Sequence, residues 1–451
     1  VLSPLKIAMA AAFLACLLLA VFCAERFLTR TGKIGLTLMV VFCFMLGALL
    51  RLDAFWLSKQ AVAKRTSMYY SNVNLGMPTA PAQAFVQSLG RLRQAHHQNK
   101  PLTEAELREV TEFGIAYAAD RDYPLVKDYF YHSKPPFTGQ AGGSPSSPGM
   151  NVILFLSEGI SARVIQPYND QYPGLTPNIA AFAASAMRVD NYYNHTFATY
   201  RGLLGQMCSI FPVYAGGQIN AGNDYYCLVN LFGEEGYDTY FLFSQQKEKT
   251  RLDEVLAKTN VKHILAQEDL STLFLDGEAG KRDLALSDQQ FMRATIAQLQ
   301  ALEAQQAAGN TTPFFLGFYN IETHAYYHAA DDGINYQGHD SYILDSIRNF
   351  DDAFGKFWDY FRQSGLYKNT IVVFTSDHAH FQGRDFVSLV SNQADYQPYF
   401  VDRIPLLVYH PGLEMPEEYD ATNASSIDLA PTLAHLMGLE NRPNSFLGRS
   451  L

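Results

Sequence analysis

The sequence has little cysteine and no excess of positive charge. The net charge is −10, which argues against a nucleic-acid partner, because nucleic acids are bound through clustered lysine and arginine. Only 5 cysteines occur in 451 residues. Cys16, Cys23 and Cys43 fall in apolar runs, where they are expected to act as small apolar side chains. Cys208 and Cys227 remain, either as a disulfide in an oxidising compartment or as two buried thiols.

Two apolar runs are present near the start of the chain. Residues 7–24 carry no charge, and residues 34–50 are similar. Each run has the length needed to cross the hydrocarbon core of a bilayer. A signal peptide is the alternative for the first run, but the second run favours two transmembrane helices. Because the chain begins with Val1, we expect it to be a fragment with further spans upstream.

The charges between the two runs predict the orientation of the chain. Arg26, Arg30 and Lys33 lie in this short loop with one acid, so the positive-inside rule places the loop in the cytoplasm. Everything after Leu50 is then extracytoplasmic, although basic residues directly after the second run favour the opposite orientation.

Composition divides the chain into three parts. Residues 1–50 are the predicted membrane segment, and residues 51–149 are a juxtamembrane connector that ends in a linker rich in Pro, Gly and Ser. Residues 150–451 are the predicted catalytic domain. No internal repeat is present.

Strand-like and helical runs alternate through the third part. This alternation predicts an α/β domain with a mostly parallel central sheet and helices on both faces. The predicted strands are residues 151–157, 237–243, 313–320, 370–376 and 404–409. The predicted helices are residues 176–186, 286–306, 341–364 and 428–436.

Potential metal ligands follow the two most strand-like runs. Glu158 comes directly after residues 151–157, and Asp377 and His378 come directly after residues 370–376. In an open α/β sheet, ligands bind at the carboxyl ends of the strands. Carboxylate oxygens and an imidazole nitrogen suit a divalent cation, so these residues form a candidate metal site.

Thr199 is a candidate nucleophile. The run after it is helical in character, so Thr199 is expected to cap the start of a helix. A threonine hydroxyl needs activation, which metal coordination and a helix N-terminus supply. A purely structural cap is the alternative, and Thr196 is a nearby competitor for the role.

From residue 151 to residue 451 the chain resembles the alkaline-phosphatase/sulfatase-like superfamily. Within it, the chain is similar to the membrane-anchored phosphoglycerol and phosphoethanolamine transferases, including periplasmic-glucan phosphoglycerol transferases and lipoteichoic acid synthases. The motifs that carry the resemblance are NVILFLSEG at 151–159, PGLTPNIA at 173–180, TYRGLLGQMCSI at 199–210, SDH at 376–378, RIPLLVYHPG at 403–412 and SIDLAPT at 426–432.

The resemblance implies a cofactor and a mechanism. Glu158, Thr199, Asp377 and His378 would bind one divalent ion, Mn²⁺ or Zn²⁺. Thr199 would attack a phospholipid donor and form a phosphothreonine intermediate, and a glycan or lipid acceptor would then take the head group. The implied location is the bacterial inner (cytoplasmic) membrane, with the catalytic domain on the extracytoplasmic side.

The resemblance also implies residues that bind substrate. His324 matches the substrate-side histidine of the family and would contact the phosphoryl group or protonate the leaving oxygen. His380 would approach the substrate or a second ion, and Arg201 would bind phosphate. A loop histidine without a catalytic role and a solvated helix arginine are the structural alternatives.

Residues 208–212 (CSIFP) lack the Pro and Arg of the C/S-x-P-x-R motif that arylsulfatases carry. Sulfate-ester hydrolysis is therefore not expected. The sequence predicts a transferase, with a phosphodiesterase or phosphatase of the same superfamily as the first alternative. An inactive membrane-anchored binding protein is the second.

Overall fold

The computed structural model describes residues 126–127, 149–211, 225–250, 252–281 and 285–451. The predicted membrane segment lies outside these residues, as does nearly all of the predicted connector. Within the described part of the chain, no helix has the length and apolar character needed to cross a membrane.

The described residues form one eight-stranded sheet, with its strands in the spatial order β4-β3-β5-β1-β6-β7-β2-β8. The strands are β1 (Asn151–Ser157), β2 (Met187–Tyr193), β3 (Asp238–Phe243), β4 (His263–Leu265), β5 (Phe314–Tyr319), β6 (Thr370–Ser376), β7 (Leu406–Tyr409) and β8 (Glu418–Ser425). Strand β7 pairs antiparallel with both of its neighbours, and all the other pairs are parallel. The sheet is therefore mixed but mostly parallel.

Helices connect the strands along the described chain. They are α1 (Pro177–Ala183), α2 (Thr199–Cys208), α3 (Leu228–Glu234), α4 (Lys247–Thr250), α5 (Leu252–Ala257), α6 (Gln267–Phe274), α7 (Asp288–Ala307), α8 (Tyr342–Gln363), α9 (Arg384–Val390) and α10 (Leu429–Leu436). Two short 3₁₀ turns occur at Gly365–Lys368 and Ser426–Asp428.

Apolar side chains cover both faces of the sheet. Along β1, Val152, Leu154 and Leu156 belong to one core, while Ile153 and Phe155 belong to the core on the opposite face. Successive side chains of a strand point to opposite faces, so a strand that is apolar at every position must be covered on both sides. This confirms the predicted arrangement of helices on both faces.

Helix α8 shows how one face is covered. Phe350, Phe354, Phe357 and Phe361 recur three or four residues apart and are all fully buried. Side chains at this spacing share one side of a helix. The ring of Phe354 packs edge-on against Phe155 of β1, with ring centroids 5.3 Å apart. This packing anchors the strand that carries Glu158.

The five predicted strands are present, with bounds that differ by at most two residues. Strands β2, β4 and β8 were missed, as were helices α3, α4, α5, α6 and α9. Strand β2 carries polar residues and an irregularity in its pairing with β8 between Asp190 and Tyr192, and β4 has only three residues. Neither shows the continuous apolar run by which the other strands were recognised.

Cys208 and Cys227 form a disulfide, which decides between the two alternatives that the sequence left open. The bond joins the last residue of α2 to the residue that precedes α3. With a sequence separation of 19, replacing both cysteines with serine is expected to lower the free energy of unfolding by about 3 kcal/mol. Urea unfolding of the double variant and of the wild type measures the difference, and equal stabilities would contradict the prediction.

Candidate metal centre and nucleophile

The ends of β1 and β6 bring Glu158 and Asp377 together. The two strands pair in parallel and in register, with Ser157 opposite Ser376, so the next residue of each strand emerges at the same edge of the sheet. His378 follows at once. This local geometry arises from two neighbouring apolar strands that end at the same level.

Three atoms of these residues face a common point. One ligand atom from each of Glu158, Asp377 and His378 lies within 4.8 Å of the others. His378 Nε2 is 3.5 Å from both Glu158 Oε1 and Asp377 Oδ2. All three atoms are buried and lack a hydrogen-bond partner in the described part of the chain. Because buried polar atoms without partners are costly, this donor set fits a divalent cation, whose O and N ligands these are.

The remaining oxygen of Asp377 is held by the backbone. Asp377 Oδ1 accepts hydrogen bonds from the amides of Gly159 and His378, each at 2.8 Å. Gly159 has φ of +58°, a conformation that favours glycine. Asn320 in turn accepts a hydrogen bond from the amide of Glu158 at 3.0 Å. Backbone amides thus hold the Asp377 carboxylate, and Asn320 holds the main chain at Glu158.

The pKa values in the cluster reflect the burial of two carboxyl groups close to each other. Burial and the neighbouring Glu158 raise the pKa of Asp377 to about 7. Burial opposes ionisation of Glu158, but interactions with His324 and His378, together with hydrogen bonds from Tyr319 and Thr199, outweigh it and lower the pKa of that carboxyl. Burial likewise opposes charge on His378, yet Asp377 and Glu158 raise its pKa. A cation among these groups would relieve the repulsion between the acids.

Thr199 lies directly against this cluster. Its hydroxyl donates a hydrogen bond to Glu158 Oε2 at 3.0 Å. Thr199 is the first residue of α2, and Ala198, with φ of +81°, is the N-cap; the expectation that Thr199 itself caps the helix was wrong by one residue. Thr196, the other candidate nucleophile, is buried. The threonine hydroxyl that donates to Glu158 is that of Thr199.

Helix α2 is packed tightly onto the end of β6. Gln206, fully buried, donates from its side-chain amide to the carbonyls of Ser376 at 2.8 Å and Asp377 at 3.2 Å. Gly202 approaches so closely that a Cβ there would lie 2.2 Å from the Asp377 carbonyl oxygen. These contacts pack the helix that begins with Thr199 directly against the candidate metal ligand Asp377.

Gly202→Ala is therefore expected to separate α2 from the candidate metal ligands. The added methyl group meets backbone atoms, which do not move aside as a flexible side chain would, and a displacement of about 1 Å at a reactive centre costs on the order of 100-fold in rate. Turnover and ion affinity measure the effect. Gly233→Ala on α3 is the matched control, because a Cβ there meets nothing within 4 Å. Wild-type turnover in Gly202→Ala would contradict the packing argument.

Two of the predicted substrate-binding residues, His324 and His380, interact with the same cluster. His324 follows β5, its ring contacts Phe381, and its proximity to Glu158 favours ionisation of that carboxyl. His380 stacks on Phe386 with ring centroids 4.8 Å apart, and burial lowers its pKa to about 4. Arg201 is partly buried in the first turn of α2, two residues after Thr199. Their roles stay predictions.

Sequence reasoning missed Tyr319, Gln206 and Gly202. Tyr319, the last residue of β5, donates a hydrogen bond to Glu158 and lies 3.3 Å from the Thr199 hydroxyl. In the sequence it ends the aromatic run FFLGFY, where it has the pattern of a core residue. No sequence signal separates it from the buried aromatics beside it.

Comparison with known proteins identifies a family match over most of the domain. The Sulfatase family matches residues 150–439. Lipoteichoic acid synthase 1 of Bacillus subtilis (strain 168) is 26% identical over 362 residues, which are 76% of this chain and 54% of the relative. Phosphoglycerol transferase I of Salmonella paratyphi B is 21% identical over 294 residues, which are 60% of this chain and 35% of the relative. The chain thus spans about half of the first relative and about a third of the second.

A solved structure shares the fold. The lipoteichoic acid synthase LtaP from Listeria monocytogenes superposes with a TM-score of 0.57 at 18% identity, covering 76% of this chain and 80% of that chain. This similarity supports an alkaline-phosphatase-like α/β fold.

Proposed function

The chain belongs to the Sulfatase family, and from that premise we propose that it transfers a phosphoglycerol or phosphoethanolamine head group from a phospholipid to a glycan or lipid acceptor. One observation carries the proposal. The Thr199 hydroxyl is hydrogen-bonded to Glu158, beside three buried ligand atoms that lack hydrogen-bond partners in the described residues. This arrangement supports the assignment of Thr199 as a hydroxyl nucleophile activated next to a cation site.

Glu158, Asp377 and His378, together with Thr199, would hold the ion, which we propose to be Mn²⁺ or Zn²⁺. A bound divalent ion supplies Lewis-acid chemistry, lowering the pKa of a hydroxyl and neutralising charge on phosphoryl oxygens. Hydrogen bonds fix the Asp377 segment before any ion binds: Gln206 donates to the Ser376 carbonyl, and the amides of Gly159 and His378 donate to the Asp377 carboxylate. Such preorganisation is a large part of catalysis at a site that excludes water.

The proposed reaction has two displacements at phosphorus. Thr199 first gives its hydroxyl proton to water; Oγ then forms a bond to phosphorus, the bond from phosphorus to the diacylglycerol oxygen breaks, and His324 gives that oxygen a proton. The acceptor hydroxyl then attacks the phosphothreonine and loses its proton to His324, and the released Thr199 Oγ takes a proton back from water. Donor and acceptor are thus converted to diacylglycerol and a modified acceptor, and both Thr199 and His324 return to their starting states.

The proposed setting is the bacterial inner (cytoplasmic) membrane, with the catalytic domain on the extracytoplasmic side. The apolar runs at 7–24 and 34–50 support a tether close to the lipid donor. The disulfide between Cys208 and Cys227 supports an oxidising compartment. The name of one relative, phosphoglycerol transferase I, supports phosphoglycerol as the group transferred.

Product analysis tests the proposal. The protein is incubated with Mn²⁺ or Zn²⁺ and with phosphatidylglycerol or phosphatidylethanolamine, in the presence and absence of a glucan or glycolipid acceptor. We expect ion-dependent release of diacylglycerol together with a modified acceptor. Free glycerol phosphate or ethanolamine phosphate in equal amounts with and without acceptor would instead identify a hydrolase. No release from protein with the ion bound would contradict the proposed donors and leave a different donor or a binding protein.

A further inference from the structure

Tyr319 occupies a position between the candidate metal ligands and the candidate nucleophile. It is the last residue of β5 and is 1% exposed. Its hydroxyl donates a hydrogen bond to Glu158 Oε2 and lies 3.3 Å from Thr199 Oγ. The neighbouring aromatic residues of β5 pack in the core, whereas the Tyr319 hydroxyl meets the two groups on which the proposed reaction depends.

The two oxygens of Glu158 have different surroundings. Oε2 accepts from both hydroxyls, Tyr319 and Thr199. Oε1 has no hydrogen-bond partner in the described residues and lies 3.5 Å from His378 Nε2. Because a carboxylate that accepts a hydrogen bond on one oxygen is fixed in rotation, Tyr319 directs Oε1 toward the point that Asp377 and His378 also face. Partners behind a metal ligand orient it in this way.

The contact with Thr199 has a second consequence. A tyrosine hydroxyl rotates to suit its acceptor, so the hydrogen that Glu158 now accepts is within reach of Thr199 Oγ when that oxygen carries negative charge. Negative charge develops there when the acceptor displaces Oγ from phosphorus. A buried donor already in place stabilises such an oxygen more than water does.

We propose that Tyr319 is a catalytic residue, which orients Glu158 for the cation and donates a hydrogen bond to Thr199 Oγ as that oxygen leaves phosphorus. Tyr319 keeps its proton throughout, so no further acid, base or co-reactant is needed. The second role rests on the proposed function, whereas the first depends only on binding of the ion.

Tyr319→Phe tests both roles, and Tyr240→Phe is the matched control. Tyr240 is on the adjacent strand β3 and also donates its hydroxyl to a carboxylate, Asp238, at 2.7 Å. Both substitutions keep the ring and remove one such hydrogen bond. Thermal unfolding of each variant separates effects on the fold from effects on the site.

The readouts are the affinity for Mn²⁺ and Zn²⁺ by calorimetry, and the rate at which the Thr199 adduct is lost to acceptor at saturating ion. Tyr319→Phe is expected to weaken ion affinity about 10- to 100-fold and to slow loss of the adduct about 100-fold, while Tyr240→Phe leaves both within twofold. Ion affinity and adduct loss within twofold of wild type in Tyr319→Phe would overturn the proposal. If the wild type forms no adduct, the proposed function fails, and ion affinity alone then decides whether Tyr319 orients Glu158.

Discussion

Thr199→Ala is expected to reduce turnover by at least about 10³-fold, the scale seen when a nucleophile is removed. The Thr199 hydroxyl lies 3.0 Å from Glu158 Oε2 and 3.3 Å from the Tyr319 hydroxyl, so the substitution removes the oxygen that is proposed to attack phosphorus. The fold is expected to remain, because the residue is partly exposed in the first turn of α2. Diacylglycerol release measures turnover, and thermal unfolding measures the fold.

Two further variants make this prediction specific. Thr199→Ser keeps a hydroxyl and is expected to keep part of the activity, whereas Thr196→Ala is expected to stay within a few-fold of wild type. Full turnover in Thr199→Ala together with loss in Thr196→Ala would move the nucleophile to Thr196.

Asp377→Asn is expected to weaken binding of Mn²⁺ or Zn²⁺ by at least about 100-fold. Removing a residue that only hydrogen-bonds to a metal ligand costs up to about 100-fold in affinity, and removing a ligand itself should cost at least as much. The substitution preserves size but removes one of the two carboxylates that face His378 Nε2. Turnover at limiting ion should fall with the affinity. Asp351→Asn is the matched control, because Asp351 is a fully buried acid whose carboxylate bonds instead to the start of α1. Equal ion affinities in the wild type and Asp377→Asn would exclude Asp377 as a ligand.

Asp377→Asn is expected to weaken ion binding, but in chelator, where no ion is bound, it is expected to increase the stability of the fold at high pH. Burial and the neighbouring Glu158 raise the pKa of Asp377 to about 7, from an ordinary value of 3.8. The folded state therefore holds this proton more tightly than the unfolded state, so stability is lost as pH rises from about 4 through 7. Asp377→Asn has no such proton and should show a flatter profile and greater stability at pH 8. Urea unfolding in chelator at pH 5 and pH 8 tests this, and a steeper fall in the variant would contradict it.

The sequence predicts the centre of the sheet better than its edges. Strands β1 and β6 each contain a continuous apolar run, because both of their faces are covered, and their bounds were predicted without error. Strand β8 has the sequence EYDATNAS at the edge of the sheet, where burial demands less of the side chains. Its strand conformation depends on pairing with β2, which no local pattern shows.

The candidate site divides in a similar way. Glu158, Asp377 and His378 are polar residues at the ends of apolar strands, a contrast that is visible in the sequence. Tyr319 and Gln206 act through contacts across the fold, with sequence separations of 161 and 170 to their partners. A buried tyrosine or glutamine in an apolar stretch has no local feature that identifies its partner, so only the folded structure shows these contacts.

The most direct test of the account is intact-protein mass spectrometry with peptide mapping. The protein is loaded with Mn²⁺ or Zn²⁺ and incubated, without acceptor, with phosphatidylglycerol or phosphatidylethanolamine. The account predicts a phosphoglycerol or phosphoethanolamine adduct on Thr199 that disappears when acceptor is added and is absent from Thr199→Ala. Consumption of the donor without an adduct on Thr199, or an adduct on another residue, would contradict it.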